Sequence, residues 1–316
     1  MKVVVLGAGA LGVYFGGRLI EAGHDVTFLV RRNRAERIHN NGLEIHSTRG
    51  NYVVAQPKVV VDVSEIDRVD LVFFSVKGYH LQGAIPTLIE LAKKGAYILP
   101  VLNGVEHFSV IEKALRPFIE QGVTKEHPVL GGLSFIIATL DEKGYVHHTS
   151  KQHKLVYGAF HHSQQEFCNK LQTLLTKVNI ESENSEDVLL ALWEKYMFIT
   201  AFSSVTTAAN LPIGMIRRYA ETKQVGIDVL QEMRQLGNKY NVPLDETHVE
   251  KAIALIDELP DEGTSSMHQD KRKGLPLELD HLQGAALRLA EKANITLPTI
   301  SLVVRLTKPY EKGLPL

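Results

Sequence analysis

Short apolar runs recur along the first half of the chain, alternating with stretches whose apolar residues return every three or four positions. The runs Lys2–Leu6, Asp25–Val30, Val59–Val63, Asp70–Val76 and Ala96–Val101 are rich in Val, Ile, Leu and Phe and predict strands. The helical period fills Ala10–Ala22, Arg34–Asn40, Tyr79–Leu91 and Glu106–Leu115. Strands alternating with helices in this way predict a parallel α/β sheet. Further strands are predicted at Val129–Thr139 and Lys154–Ala159. Tyr145–Thr149 reads as a hairpin partner after the turn residues Asp141-Glu142-Lys143-Gly144.

Beyond Gln164 the pattern changes. Phe167–Val178 reads as a helix, and from about Glu183 no further strand is evident. Helices are predicted at Asp187–Ala209, Ala220–Lys239, Asp245–Glu258, Leu277–Ala293 and Thr299–Tyr310, with Asp261–Ser266 as a loop. The expected organisation is an α/β domain over residues 1–185 and an all-helical domain over residues 186–316.

A length of 316 residues suits two domains. The 35 basic and 36 acidic residues leave a net charge of −1, so nothing in the balance suggests a nucleic-acid or anionic-membrane partner. Cys168 is the single cysteine, which excludes an intrachain disulfide framework and suits a reducing, cytoplasmic compartment. The apolar run after Met1-Lys2 is studded with glycine and flows into a helix carrying Arg18 and Glu21, unlike a secretory signal. The uncharged stretch Tyr196–Ile216 is long enough to span a bilayer. Its Thr200, Ser203, Ser204, Thr206, Thr207, Asn210, Pro212 and Gly214 favour a buried helix and turn in a soluble core instead.

The sharpest motif is Gly7-Ala8-Gly9-Ala10-Leu11-Gly12, which follows the first strand and opens the first helix. In that context G-x-G-x-x-G predicts a dinucleotide site of Rossmann type. Gly7 permits the tight turn, Gly9 clears the approach of a pyrophosphate, and Gly12 lets helix and strand pack closely. The second strand ends in Arg31-Arg32-Asn33-Arg34, with Arg31 lying 19 residues beyond Gly12. A site for NAD would usually carry an acid there for the ribose 2′-hydroxyl. A guanidinium suits a 2′-phosphate, so NADPH is the expected cofactor.

Ligands of open parallel sheets bind at the carboxyl ends of the strands. Two more predicted strands end there in functional groups: one runs into Lys77-Gly78-Tyr79-His80, the other into Asn103-Gly104-Val105. Lys77 and Asn103 are expected near the nicotinamide half of the cofactor and the substrate.

Taken with Leu192-Trp193-Glu194-Lys195, Ser265-Ser266-Met267-His268-Gln269-Asp270 and Glu278-Leu279-Asp280-His281-Leu282-Gln283-Gly284, these segments resemble the ketopantoate reductase family over essentially the whole chain. The resemblance implies that NADPH reduces the ketone of a 2-oxo acid, nominally 2-dehydropantoate to pantoate in pantothenate biosynthesis. It implies Lys195 as the general acid and Glu278 as the carboxylate that orients it and balances its charge. Ser266 corresponds to a substrate-contacting hydroxyl. Burial would lower the pKa of Lys195 and Glu278 would raise it, and the residues alone leave the balance open. By this assignment Lys77 and Asn103 come from the first domain, and Lys195, Ser203, Ser266 and Glu278 from the second.

The chain departs from the family where substrate contacts are made. Asparagines usual four and eight residues after the lysine are Ile199 and Ser203, and a third is Ile213 beside Gly214. Ser203 keeps a hydroxyl and stays in the expected substrate set. A pocket that loses such polar partners loses discrimination, so a different branched 2-oxo acid remains an alternative. A non-catalytic NADPH-sensing protein is a second alternative, disfavoured because a sensor has no need of Lys195 and Glu278. The fourteen histidines show no metal-ligand spacing, and no metal is expected. Oligomeric state stays open, with a homodimer as the first expectation.

Overall fold

The computed structural model describes residues 1–313 and divides into two compact units. The first comprises Met1–Leu102 and His107–Val188; the second comprises Asn103–Glu106 and the described residues from Leu189 to Gly313.

In the first unit, β1 (Lys2–Leu6), α1 (Ala10–Glu21), β2 (Asp25–Leu29) and α2 (Arg32–Asn41) are followed by β3 (Leu43–Ser47), β4 (Tyr52–Val54) and β5 (Lys58–Val60). Next come β6 (Leu71–Phe74), α3 (Leu81–Lys93), β7 (Tyr97–Pro100) and α4, which starts at Glu106 and ends at Glu120. The unit closes with β8 (Gly131–Leu140), β9 (Val146–Gly158), α5 (Gln165–Leu175) and β10 (Glu181–Asn184). Five strands form a parallel sheet in the order β5-β2-β1-β6-β7, with Val5 opposite both Phe28 and Phe73. The central strands are apolar at nearly every position because both faces are covered; Val5, Phe28, Val72 and Phe74 are fully buried.

A second sheet is interleaved with the first in the chain order. Strands β8 and β9 do not extend the doubly wound sheet. β9 pairs antiparallel with β8 and parallel with β3 and β10, and β4 completes the sheet beside β3. An isolated parallel bridge between Ile98 and Val129 joins the approach to β8 to the first sheet. Tyr145–Thr149 and Lys154–Ala159, read as separate strands, lie largely within the single strand β9. β10 was missed because Glu181-Ser182-Glu183-Asn184 carries no apolar residue; backbone pairing with Lys154–Tyr157 makes it a strand.

In the second unit, α6 (Val188–Ala209) is followed by α7 (Ile213–Arg218), α8 (Ala220–Lys239), α9 (Glu246–Glu258) and α10 (Ser266–Arg272). A π-helical turn, Asp280–Gly284, leads into α11 (Ala285–Lys292), and α12 (Pro298–Thr307) follows. Helix α8 packs against α7, α9, α11 and α12. The Glu232 carboxylate of α8 caps α12 by accepting from the Thr299 and Ile300 amides at 2.7 and 3.0 Å. By length and composition α6 could cross a membrane, yet Trp193, Tyr196, Met197, Ala201 and Val205 are buried in the core of this unit. Its hydroxyl groups at Thr200, Ser203, Ser204, Thr206 and Thr207 are buried with them.

Candidate active site

The glycine turn sits between β1 and α1. Gly7 has φ +103°, a region that L side chains avoid. A Cβ on Gly12 would lie 2.0 Å from the Gly7 carbonyl oxygen and 2.6 Å from the Ser75 hydroxyl. On Gly9 the nearest atom to a Cβ would be 4.0 Å away, so that side of the turn is open. Helix α1 begins there without a side-chain cap, which leaves first-turn N–H groups to receive an anion. An open cradle beside an uncapped helix end fits a dinucleotide pyrophosphate. Ala8 is buried, and Ala10 and Leu11 form the first turn of the helix.

Arg31 is exposed at the N-cap position of α2, with Nη1 3.3 Å from His80 Nε2. Arg34, three residues on, does a different job. Its Nε donates to the Ala8 carbonyl and its Nη2 to the Gly144 carbonyl, each at 3.1 Å, which ties α2 to the glycine turn. Lys77 follows β6 and caps the single turn Gly78–His80.

The helical unit holds the rest. Lys195, Ile199 and Ser203 recur every four residues along one face of α6. Burial pushes the Lys195 ammonium down to about 8, against the opposing pull of the Glu278 charge. The question left open by the residues is thus answered: desolvation dominates. Glu278 is buried, and its carbonyl accepts from the His281 and Leu282 amides at the start of the π turn. Ser265 caps α10 by accepting from His268 N at 3.1 Å, leaving Ser266 exposed at the helix start. Ser203 lies inside the core: its hydroxyl accepts from Gln283 Nε2 at 2.8 Å. Ile213 is fully buried, and its backbone N–H donates to the Gly263 carbonyl at 2.9 Å.

Asn103 falls in the helical unit, not the sheet unit to which its place after β7 had assigned it. Val105 packs into the helical core, which draws the short segment over.

Residues 3–162 match the model of the ketopantoate reductase PanE/ApbA family, and residues 187–311 match the model of its C-terminal part. This chain belongs to the ketopantoate reductase family. It is 34% identical over 311 residues to the uncharacterised oxidoreductase YkpB of Bacillus subtilis, covering 98% of this chain and 99% of that protein. It also resembles the PanE/ApbA family ketopantoate reductase from Ralstonia eutropha, with TM-score 0.84 and 28% identity over 98% of each chain. The fold recurs in a D-mandelate dehydrogenase bound to NADH and anilino(oxo)acetate, with TM-score 0.86 and 21% identity over 98% of each chain. The chain is an oxidoreductase of this family, acting on CH–OH groups with a nicotinamide cofactor.

Sequence reading missed several groups of the reductase. Gln283 is fully buried and donates to the Ser203 and Ser204 hydroxyls at 2.8 and 3.1 Å. Lys271 is buried, donating to the Thr207 carbonyl at 2.8 Å and lying 4.1 Å from the centre of the Tyr310 ring. Tyr196, beside Lys195, donates to the Leu282 carbonyl at 2.7 Å. For Gln283 and Tyr196 a polar residue beside apolar neighbours was the available signal, whereas Lys271 stands among Asp270, Arg272 and Lys273 and gave none. The hydrogen-bond partners, 64 to 86 positions away, were invisible without the fold.

Proposed function

We propose that the reductase uses NADPH to convert a branched 2-oxo acid to the 2-hydroxy acid, with 2-dehydropantoate as the leading substrate and pantoate as product. The observation that carries this reading is Lys195: a lysine lowered to about 8 by burial, with a buried carboxylate acting on it. Such an ammonium is still mostly protonated near neutral pH and is a far better acid than an exposed lysine. Gly7 to Gly12 would hold the pyrophosphate and Arg31 the 2′-phosphate. Lys77 and Asn103 would serve the nicotinamide end and the substrate. The cofactor, when bound, supplies a hydride.

In this reading Lys195 delivers a proton to the carbonyl oxygen as the alkoxide develops, and Glu278 keeps the ammonium charged and aimed. Asn103 and Ser266 offer hydrogen bonds to the acid. Ser203 belongs to the wall behind it, since its hydroxyl is already engaged with Gln283.

A second reading, reduction of a different branched 2-oxo acid, is favoured by a specific observation. One turn beyond Lys195 the helix presents Ile199, and Ile213 is buried without a polar side chain. Neither could satisfy a substrate hydroxyl.

The test is NADPH oxidation with 2-dehydropantoate, with 3,3-dimethyl-2-oxobutanoate, which lacks only the hydroxyl, and with other branched 2-oxo acids. The leading reading expects the highest kcat/KM on 2-dehydropantoate. A preference for the deoxy acid selects the second reading, and no turnover of any 2-oxo acid overturns both.

A further inference from the structure

Between β7 and α4 the chain belongs to the helical unit for four residues, Asn103–Glu106. Contacts of Val105, Gly104 and Glu106 hold this segment there. Val105 packs into the helical core. Gly104, at φ +87°, lies so close to the π turn that a Cβ would come 3.0 Å from the His281 carbonyl oxygen and 3.8 Å from the Tyr196 ring. Glu106 is gripped by Arg288: Nε lies 3.1 and 3.2 Å from its two carboxylate oxygens, and Nη2 lies 2.7 Å from one of them.

The same guanidinium reaches Asp280, the first residue of the π turn. Nη1 donates to its carboxylate at 2.7 Å and Nη2 to its carbonyl at 2.9 Å. The two carboxylates in turn hold the guanidinium charged, raising its pKa further. Glu278 lies two residues before Asp280, and Tyr196, next to Lys195, donates to the Leu282 carbonyl within the turn. The π turn therefore meets the Asn103 segment, the Glu278 backbone and the neighbour of Lys195. π-Helical turns often mark functional sites.

We propose that Arg288 is a positioning residue for the reduction. By clasping Glu106 and Asp280 together, it sets the Asn103 amide at a constant position relative to the Lys195–Glu278 pair. The inference rests on the reading above that Asn103 belongs to the active site. A planar fork with several donors suits this task, because it bonds a carboxylate side-on while its outer nitrogens reach a second acceptor. Without the cation, two carboxylates would face each other and the turn at Gly104 would lose its clasp. A displacement of about 1 Å at Asn103 is enough to slow a well-oriented reaction by on the order of 100-fold.

The test is a double-mutant cycle in the full chain: Arg288→Met, Asn103→Ala and the pair, with Arg288→Lys alongside. Readouts are kcat/KM on the best 2-oxo acid of the panel, NADPH affinity by fluorescence, and amide hydrogen exchange across residues 103–106. Arg288→Met is expected to lower kcat/KM by about 10–100-fold in the parent but less than about 3-fold when Asn103 is already Ala. Exchange across the segment should rise in Arg288→Met, and Arg288→Lys should restore part of the loss. Should Arg288→Met fail to fold, Glu106→Gln removes the same charge contact and enters the same cycle. Effects that multiply independently, or unchanged exchange, would overturn the proposal while leaving the Asn103 reading intact. An Asn103→Ala variant of full activity would overturn both.

Discussion

The Ser75 hydroxyl donates to the Gly7 carbonyl at 2.8 Å. The end of β6 thus braces the glycine turn after β1, and the strand that leads to Lys77 also shapes the cradle. Gly12 sits inside this brace. In Gly12→Ala the new methyl would meet the Gly7 carbonyl at 2.0 Å, an atom of the backbone that cannot swing away. Expected results are a loss of about 2–4 kcal/mol in denaturant unfolding, or at least about 100-fold weaker NADPH binding. Unchanged values of both would contradict the packing described.

Arg31 is the exposed guanidinium at the start of α2, whereas Arg34 is spent on backbone carbonyls. Arg31→Ala should weaken NADPH by about 10–100-fold and leave NADH nearly unchanged, measured by fluorescence titration. Equal weakening of both cofactors would remove Arg31 from the 2′-phosphate site.

Lys195 must be protonated to act as an acid, and its pKa is lowered to about 8 by burial with Glu278 opposing. The reductase should therefore lose kcat/KM as pH rises through about 8. In Glu278→Gln the supporting charge is gone, so that limb should move to lower pH. Lys195→Ala should remove most of kcat with NADPH affinity retained. A pH limb that stays in place in Glu278→Gln would show that the two side chains do not interact in this way.

The same shift has a consequence for stability. The folded pKa of Lys195 lies below the unfolded value of 10.5, so the unfolded chain binds more protons between about pH 8 and 10.5. Over that window the wild-type protein should gain stability relative to Lys195→Met as pH rises, by on the order of 1–3 kcal/mol. Urea unfolding at several pH values measures it, and parallel curves would refute it.

The glycine turn and Arg31 were legible because local rules dictate them: a strand, a tight turn and a helix start within a few residues. The central strands of the parallel sheet were legible because burial on both faces leaves them apolar at nearly every position. β10 was not, since this edge strand carries no apolar residue and is set by its pairing with β9. The second sheet was hidden for a related reason. β3 and β9 are joined across about a hundred positions, Ile45 opposite Val146, and no local pattern records which strands become partners.

Asn103 draws the same line among the candidate site residues. Its chemistry, an amide after a parallel strand, stood in the sequence. Its place in the helical unit did not, because Val105, the close approach of Gly104 to the His281 carbonyl and the Arg288 clasp on Glu106 arise only when distant segments pack. The sequence by itself determined the glycine turn between β1 and α1 and the family of the chain, and it offered Arg31 and Lys195 as the candidates for the cofactor phosphate and the proton. Tertiary structure alone decided how strongly Lys195 is desolvated and that Ser203 turns to Gln283. Both depend on what surrounds a side chain rather than on which side chain it is.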